Sequence, residues 1–144
     1  MGKRTQSREI ALQVLYQIDI SEGTTEEMFN IFWDHFTPPD DLKEFSQKIV
    51  SGVCQHEEEI DVIIEHYSEH WRLKRMTIVD RNILRLAIFE LMFCDDIPPK
   101  VVLNEAVELG KKFGSDKSGS FINGVLDNVA HRITRFKHDP GNHS

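Results

Sequence analysis

Residues 101–128 read VVLNEAVELGKKFGSDKSGSFINGVLDN, and their spacing decides the fold. Val102, Ala106, Leu109 and Phe113 are spaced 4-3-4, so an α-helix stacks them on one face. Gly114 stands where that helix ends, and the pattern predicts the left-handed turn that glycine adopts without steric cost. A second helix restarts near Ser118, with Ile122, Val125, Leu126, Val129 and Ile133 inward. The connection Ser115-Asp116-Lys117-Ser118-Gly119-Ser120 places hydroxyls and backbone N–H groups at a helix N-terminus, where anions are favoured.

The remaining long segments share the helical period, and no alternating strand pattern with hairpin turns occurs. Helix 1 is expected from about Gln6 to Ser21. Thr24 and Glu27 form a capping-box signal for a second helix with Met28, Phe29, Phe32, Trp33 and Phe36 on one face. Pro38-Pro39 ends it. A helical stretch follows from about Asp41 to Ser68, with Gly52 and Gln55-His56 as alternative breaks. Thr77 starts a central helix ending near Asp95, apolar almost all round and so expected to be enclosed. Pro98-Pro99 opens the next, because proline is tolerated in a first turn. The expectation is an all-α protein of six to seven helices, one domain over residues 1–136, with 137–144 (KHDPGNHS) a polar, disordered tail.

A chain of 144 residues suits one domain, which at that size buries roughly 70% of its unfolded surface. No apolar run reaches transmembrane length, and MGKRTQSREIALQ lacks the apolar centre of a signal peptide. Cys54 and Cys94 are isolated thiols, read as small hydrophobes rather than a disulfide or redox pair. A cytoplasmic location is the expectation.

A net charge of −7 argues against a generic nucleic-acid binder, but the charge is segregated. Residues 22–70 carry 13 acidic and 2 basic side chains, whereas residues 100–137 carry 7 basic against 4 acidic. A local basic surface is therefore compatible with an acidic protein. Solvated helix faces with no partner would give the same composition.

Three groups stand out on the helices. In helix 1, Ile10, Ala11, Val14, Leu15 and Ile18 share a broad face, while Leu12, Tyr16 and Ile20 repeat on nearly the opposite one. Either the helix is packed on both sides, or the second stripe docks a partner. On the central helix Asp80, Arg81 and Arg85 break an apolar surface, which by itself reads as a solvent-facing stripe. Phe121 lies at the edge of its helix's apolar stripe beside Asn128, Arg132 and Arg135. Single-stranded RNA is bound by such groupings, through stacking and phosphate neutralisation, although a core-edge phenylalanine is the commoner case.

Catalytic and metal signatures are missing. His66 and His70 at i, i+4 have no third ligand in pattern, and Glu57-Glu58-Glu59 reads as a solvated acidic run. No GxxxxGK[ST], GxSxG or HExxH occurs, so neither an enzyme nor a cofactor is expected.

SREIALQVLYQID (7–19), VDRNILRLAIFEL (79–91), LNEAVELGKKFG (103–114) and SGSFINGVLDN (118–128) resemble, in collinear order, the NusB family of bacterial transcription antitermination factors. The resemblance spans about residues 4–133. It implies two stacked helical subdomains and a non-enzymatic adaptor. Such an adaptor pairs with NusE, a ribosomal protein doubling as an antitermination factor. Together they hold the boxA element of nascent, usually ribosomal, RNA within an RNA polymerase antitermination complex. By the same resemblance Leu12, Tyr16, Asp80 and Arg81 face NusE. Lys3, Arg4 and Arg8, with Phe113, Lys117, Ser118 and Phe121, form the RNA surface. Some relatives dimerise through surfaces that would otherwise bind RNA, so a homodimer is a further expectation. Asp80 stands where relatives often carry glutamate, and Ser120 where many carry a cation; fewer phosphate contacts imply a shallow salt dependence. The competing reading is a helical protein–protein module of this type without RNA.

Overall fold

The computed structural model describes residues 2–21, 25–35, 40–69 and 71–137. Seven α-helices lie among them: α1 (Lys3–Ile20), α2 (Thr25–His35), α3 (Asp40–Gln55), α4 (Glu57–Tyr67), α5 (Ile78–Phe93), α6 (Pro99–Phe113) and α7 (Ser118–Lys137). A 3₁₀ turn at Leu73–Arg75 precedes α5, and no strand occurs among the described residues. The fold is all-α.

α5 organises the molecule because its sequence leaves it almost no solvent face. Residues 82–91 are all buried, and α5 packs against α1, α3, α4, α6 and α7. Helices α1–α3 pack on one another, as do α4–α7, and both groups share one continuous apolar cluster. Thr77 caps α5, its hydroxyl accepting the Asp80 N–H at 3.0 Å. Small side chains let α1 and α3 approach closely: the buried Ser46 hydroxyl donates to the carbonyls of Ser7 and Leu42 at 2.9 and 2.8 Å.

Several boundaries differ from the sequence reading, each for a local reason. α1 starts at Lys3 rather than Gln6, because Ser7 and Arg8 are core residues despite their polarity. The stretch 41–68 breaks at His56 (φ −112°, ψ 19°). The His56 ring nitrogen lies 2.7 Å from Glu59, and three glutamates in the first turn of α4 suit the positive end of a new helix. Gly52 stays helical; a Cβ there would overlap the ring of Phe89. Gly114 is not left-handed (φ −99°, ψ −161°): the space matters, since a Cβ would strike the Ser118 side chain. Of the aromatic face expected for α2, Met28 and Phe29 pack on the core. The capping residue Thr24, Phe36 and Pro38-Pro39 lie outside the described residues, as do the side chains of Phe32 and Trp33.

Candidate nucleic-acid and partner interface

The N-terminal cations divide into two kinds. Lys3 and Arg4 are exposed, on surface ion pairs with Asp41 (2.8 Å) and Asp96 (3.4 Å), and the Arg4 guanidinium lies 4.6 Å from the Phe45 ring centre. Arg8 is 2% exposed. Its guanidinium meets Glu90 at 2.7 Å and Glu105 at 2.8 Å, and Thr5 also donates to Glu105. Burial opposes the charge on Arg8, but the hydrogen bond and charge of Glu90 outweigh it and raise its pKa. Arg8 therefore ties α1 to α5 and α6, and its guanidinium lies inside the fold rather than on the surface where the sequence reading places it.

The group expected to face a protein partner is also redistributed. Leu12 is 3% exposed, a core residue, so the second stripe of α1 is partly packed by the protein itself. Tyr16 is half-buried and Ile20 exposed, which leaves a shorter apolar edge. Arg81 donates to both carboxylate oxygens of Asp19, at 2.8 and 2.9 Å. Arg85 is buried and reaches Asp61 at 2.9 Å and Asp19 at 3.1 Å. Asp19 also receives the Asn82 amide. The hydrogen bond from Arg81, before the other donors, holds the Asp19 carboxyl below its ordinary range. Neither arginine belongs to a solvent-facing stripe: both are satisfied within the fold.

In the α6–α7 loop, Ser118 is 1% exposed and its hydroxyl accepts the Ser115 N–H at 2.9 Å. From inside the loop this hydroxyl holds its shape, whereas the sequence reading places Ser118 on the RNA surface. Ser120 donates to the Lys117 carbonyl at 3.2 Å. Phe113 packs partly on the core with the Lys112 ammonium 5.4 Å from its ring centre. Lys117 is exposed and has no carboxylate partner among the described residues.

The structure adds a segment that the sequence reading passed over. Trp71-Arg72-Leu73-Lys74-Arg75 joins α4 to α5 and brings Trp71 against Phe121, with ring centroids 6.2 Å apart at 71°. Trp71 is 52% exposed. Trp71, Arg75, Met76, Thr77, Asp80, Ser115, Lys117, Ser120 and Phe121 wall a cavity of about 540 Å³. A second cavity of about 290 Å³ adjoins the far side of Trp71 and Phe121, with Tyr67 and Asn128 in its wall. Arg72, Lys74, Arg75 and Lys117 are exposed without carboxylate partners among the described residues, unlike Lys3, Arg4 and Arg8. A tryptophan and three cations in five residues was the signal available.

The two basic regions expected to cooperate lie at opposite ends of α6. Arg4 pairs with Asp96, just before α6, and Lys117 follows its last turn. Fifteen residues of helix separate them, about 22 Å at 1.5 Å per residue. A strand touching both must run the length of α6.

Two aromatic rings and four cations without carboxylate partners among the described residues thus lie close together on an otherwise acidic, all-helical protein. The NusB family profile matches residues 5–131. The chain belongs to the NusB family. It is 47% identical over 133 residues to the transcription antitermination protein NusB of Syntrophus aciditrophicus (strain SB), covering 92% of this chain and 83% of that one. The solved NusB of T. maritima superposes with a TM-score of 0.83 at 36% identity, covering 89% of this chain and 90% of that chain. A chain from a structure of the antitermination factors NusB and NusE in complex with double-stranded RNA gives a TM-score of 0.80 at 34% identity, covering 90% and 97%. As a NusB family member, the chain has RNA-binding relatives and a likeness to a protein solved with NusE. No helix among the described residues is long and apolar enough to cross a membrane, and no group of three or more potential metal ligands occurs among them.

Proposed function

We propose that this protein is a cytoplasmic antitermination factor that binds single-stranded boxA-type RNA together with NusE. The pair joins an RNA polymerase complex that reads through terminators, and the protein acts by binding rather than turnover. The observation that carries the RNA part is the Trp71–Phe121 platform, framed by Arg75 and Lys117, which have no carboxylate partner among the described residues. Such rings stack unpaired bases, and the cations supply the phosphate attraction that a net charge of −7 otherwise opposes.

NusE is assigned to the edge of α1 formed by Tyr16 and the exposed Ile20. Lys3 and Arg4, across the length of α6 from Lys117, serve as a secondary phosphate site. Dimerisation through the cationic face would compete with RNA. Electrophoretic mobility with boxA-type and scrambled RNA, with and without NusE, tests the reading. It predicts a boxA preference that NusE strengthens; equal binding of both RNAs with NusE present contradicts it.

A further inference from the structure

Gly124 sits beside Trp71 and Phe121 without a reason in the fold. It lies inside α7, where glycine weakens a helix relative to alanine. Its φ is not positive, and a Cβ built on it meets no atom within 4 Å among the described residues. Neither a turn nor a packed neighbour therefore asks for glycine, in contrast to Gly52 and Gly114. Gly124 lies in the wall of the smaller cavity, about 290 Å³, with Tyr67, Glu69, Trp71, Phe121 and Asn128. Bare backbone in a cavity wall lets a ligand approach closely. Trp71, in the same wall, is exposed yet fixed. Its N–H donates to the Ser68 carbonyl at 3.1 Å, and its carbonyl accepts the buried Ser68 hydroxyl at 2.9 Å.

We propose that the smaller cavity is a second base subsite, taking the neighbour, along a bound single strand, of the base that lies beside Arg75 and Lys117. The inference rests on the RNA-binding reading above. Trp71 and Phe121 border both cavities, so a strand that crosses this ridge lays one base on each side of it. The charges divide in the same way. Arg75 and Lys117 stand in the wall of the larger cavity, whereas the smaller has no cation among its described lining residues and carries Glu69. Glu69 repels phosphate, so the smaller cavity suits a neutral planar group, with the strand's backbone held on the cationic side. Its volume lies just under the range of small-molecule sites, which fits a single base delivered as part of a strand. The exposed Asn128 amide has both donors and an acceptor, and serves the edge of any base without selecting one. A base lying over Gly124 fills the space that a side chain would otherwise take.

Gly124→Leu tests the assignment, because a leucine there leans over the preceding turn, onto Ser120 and Phe121, and fills the cavity. The site is open and leucine favours helix, so the variant's thermal midpoint should equal or exceed the parent's. Fluorescence anisotropy is read with boxA-type single-stranded RNA, NusE present, and with strands carrying one abasic nucleotide at each position in turn. In the parent, abasic substitution at two adjacent positions should each cost about tenfold, within the range of one stacked base. Gly124→Leu should bind the intact strand about tenfold more weakly. It should also lose the cost at one of those two positions, to within about twofold, and keep it at the other. A single sensitive position in the parent overturns the second subsite and leaves the RNA-binding reading intact. So does a Gly124→Leu protein with parent-like RNA affinity, or one that keeps both abasic costs. Weaker NusE binding with an unchanged abasic profile gives the cavity to a protein and overturns the proposal. No binding of boxA-type RNA by the parent overturns both readings. If the leucine variant melts below the parent, the same outcomes are read from Gly124→Met, whose unbranched side chain also favours helix.

Discussion

Trp71 and Phe121 meet edge to face with ring centroids 6.2 Å apart, linking the connection before α5 to the first turn of α7. Each ring borders both neighbouring cavities, so the pair forms a shared ridge between them. Because each supports the other, their contributions to RNA binding should not add. Trp71→Ala and Phe121→Ala are each expected to weaken RNA binding, and the double variant by less than the sum, with a coupling of about 0.5 kcal/mol or more. A double-mutant cycle of RNA affinities measures it; strict additivity would separate the rings functionally.

Arg8→Ala should act on stability, not on RNA. It strands the buried Glu90 carboxylate, and breaking one side of such a pair costs about 3–5 kcal/mol. Arg4→Ala, at an exposed pair, should cost no more than about 1 kcal/mol. Urea denaturation of both variants decides the matter. Equal, small losses would return Arg8 to the surface.

Asp19 gives the protein an acid-sensitive window. Its carboxyl is held below the ordinary value of 3.8, first by the hydrogen bond from Arg81. A depressed folded-state pKa contributes stability that is complete above the unfolded value and is lost as pH falls through the folded value. Asp19→Asn should therefore be less stable than the parent at neutral pH, and the gap should narrow as pH drops below 3.8. Chemical denaturation midpoints across that range check it; a constant gap would mean the charge is immaterial.

Tyr16→Ala should weaken NusE binding by at least ~2 kcal/mol if the ring is a buried anchor of that interface. RNA binding in the absence of NusE should be unchanged. Calorimetric titration of NusE into a folded variant reads both the affinity and the active fraction. Parent-like affinity would remove NusE from this edge of α1.

The helices were legible in the sequence because their signals are local. The 4-3-4 spacing from Val102 to Phe113, the Thr77 cap and the Pro98-Pro99 start each act within a turn or two. The roles of charged residues were not, because their partners are remote. Arg8 finds Glu90 82 positions away and Arg81 finds Asp19 62 positions away, and no periodicity announces either pair. Asp80, expected from the resemblance to face a protein, shares a wall with Lys117 and Phe121 only once α5 and α7 pack. Trp71–Arg75 escaped notice because a short aperiodic connection looks like a linker until the fold places it against Phe121.

In the proposed function, stacking on Phe121, with a few local cations, holds single-stranded RNA. Anisotropy titrations of boxA-type RNA across a salt series, with the parent, Phe121→Ala and Lys117→Ala, test it most directly. With ~3–5 phosphates neutralised, the parent's log-affinity should fall with log salt at a slope of about −2 to −3.5. Lys117→Ala should flatten that slope by somewhat under one unit. Phe121→Ala should keep the slope and lose roughly 1–3 kcal/mol of affinity. A folded Phe121→Ala protein that binds boxA RNA as tightly as the parent would contradict the account and make Phe121 a core residue only.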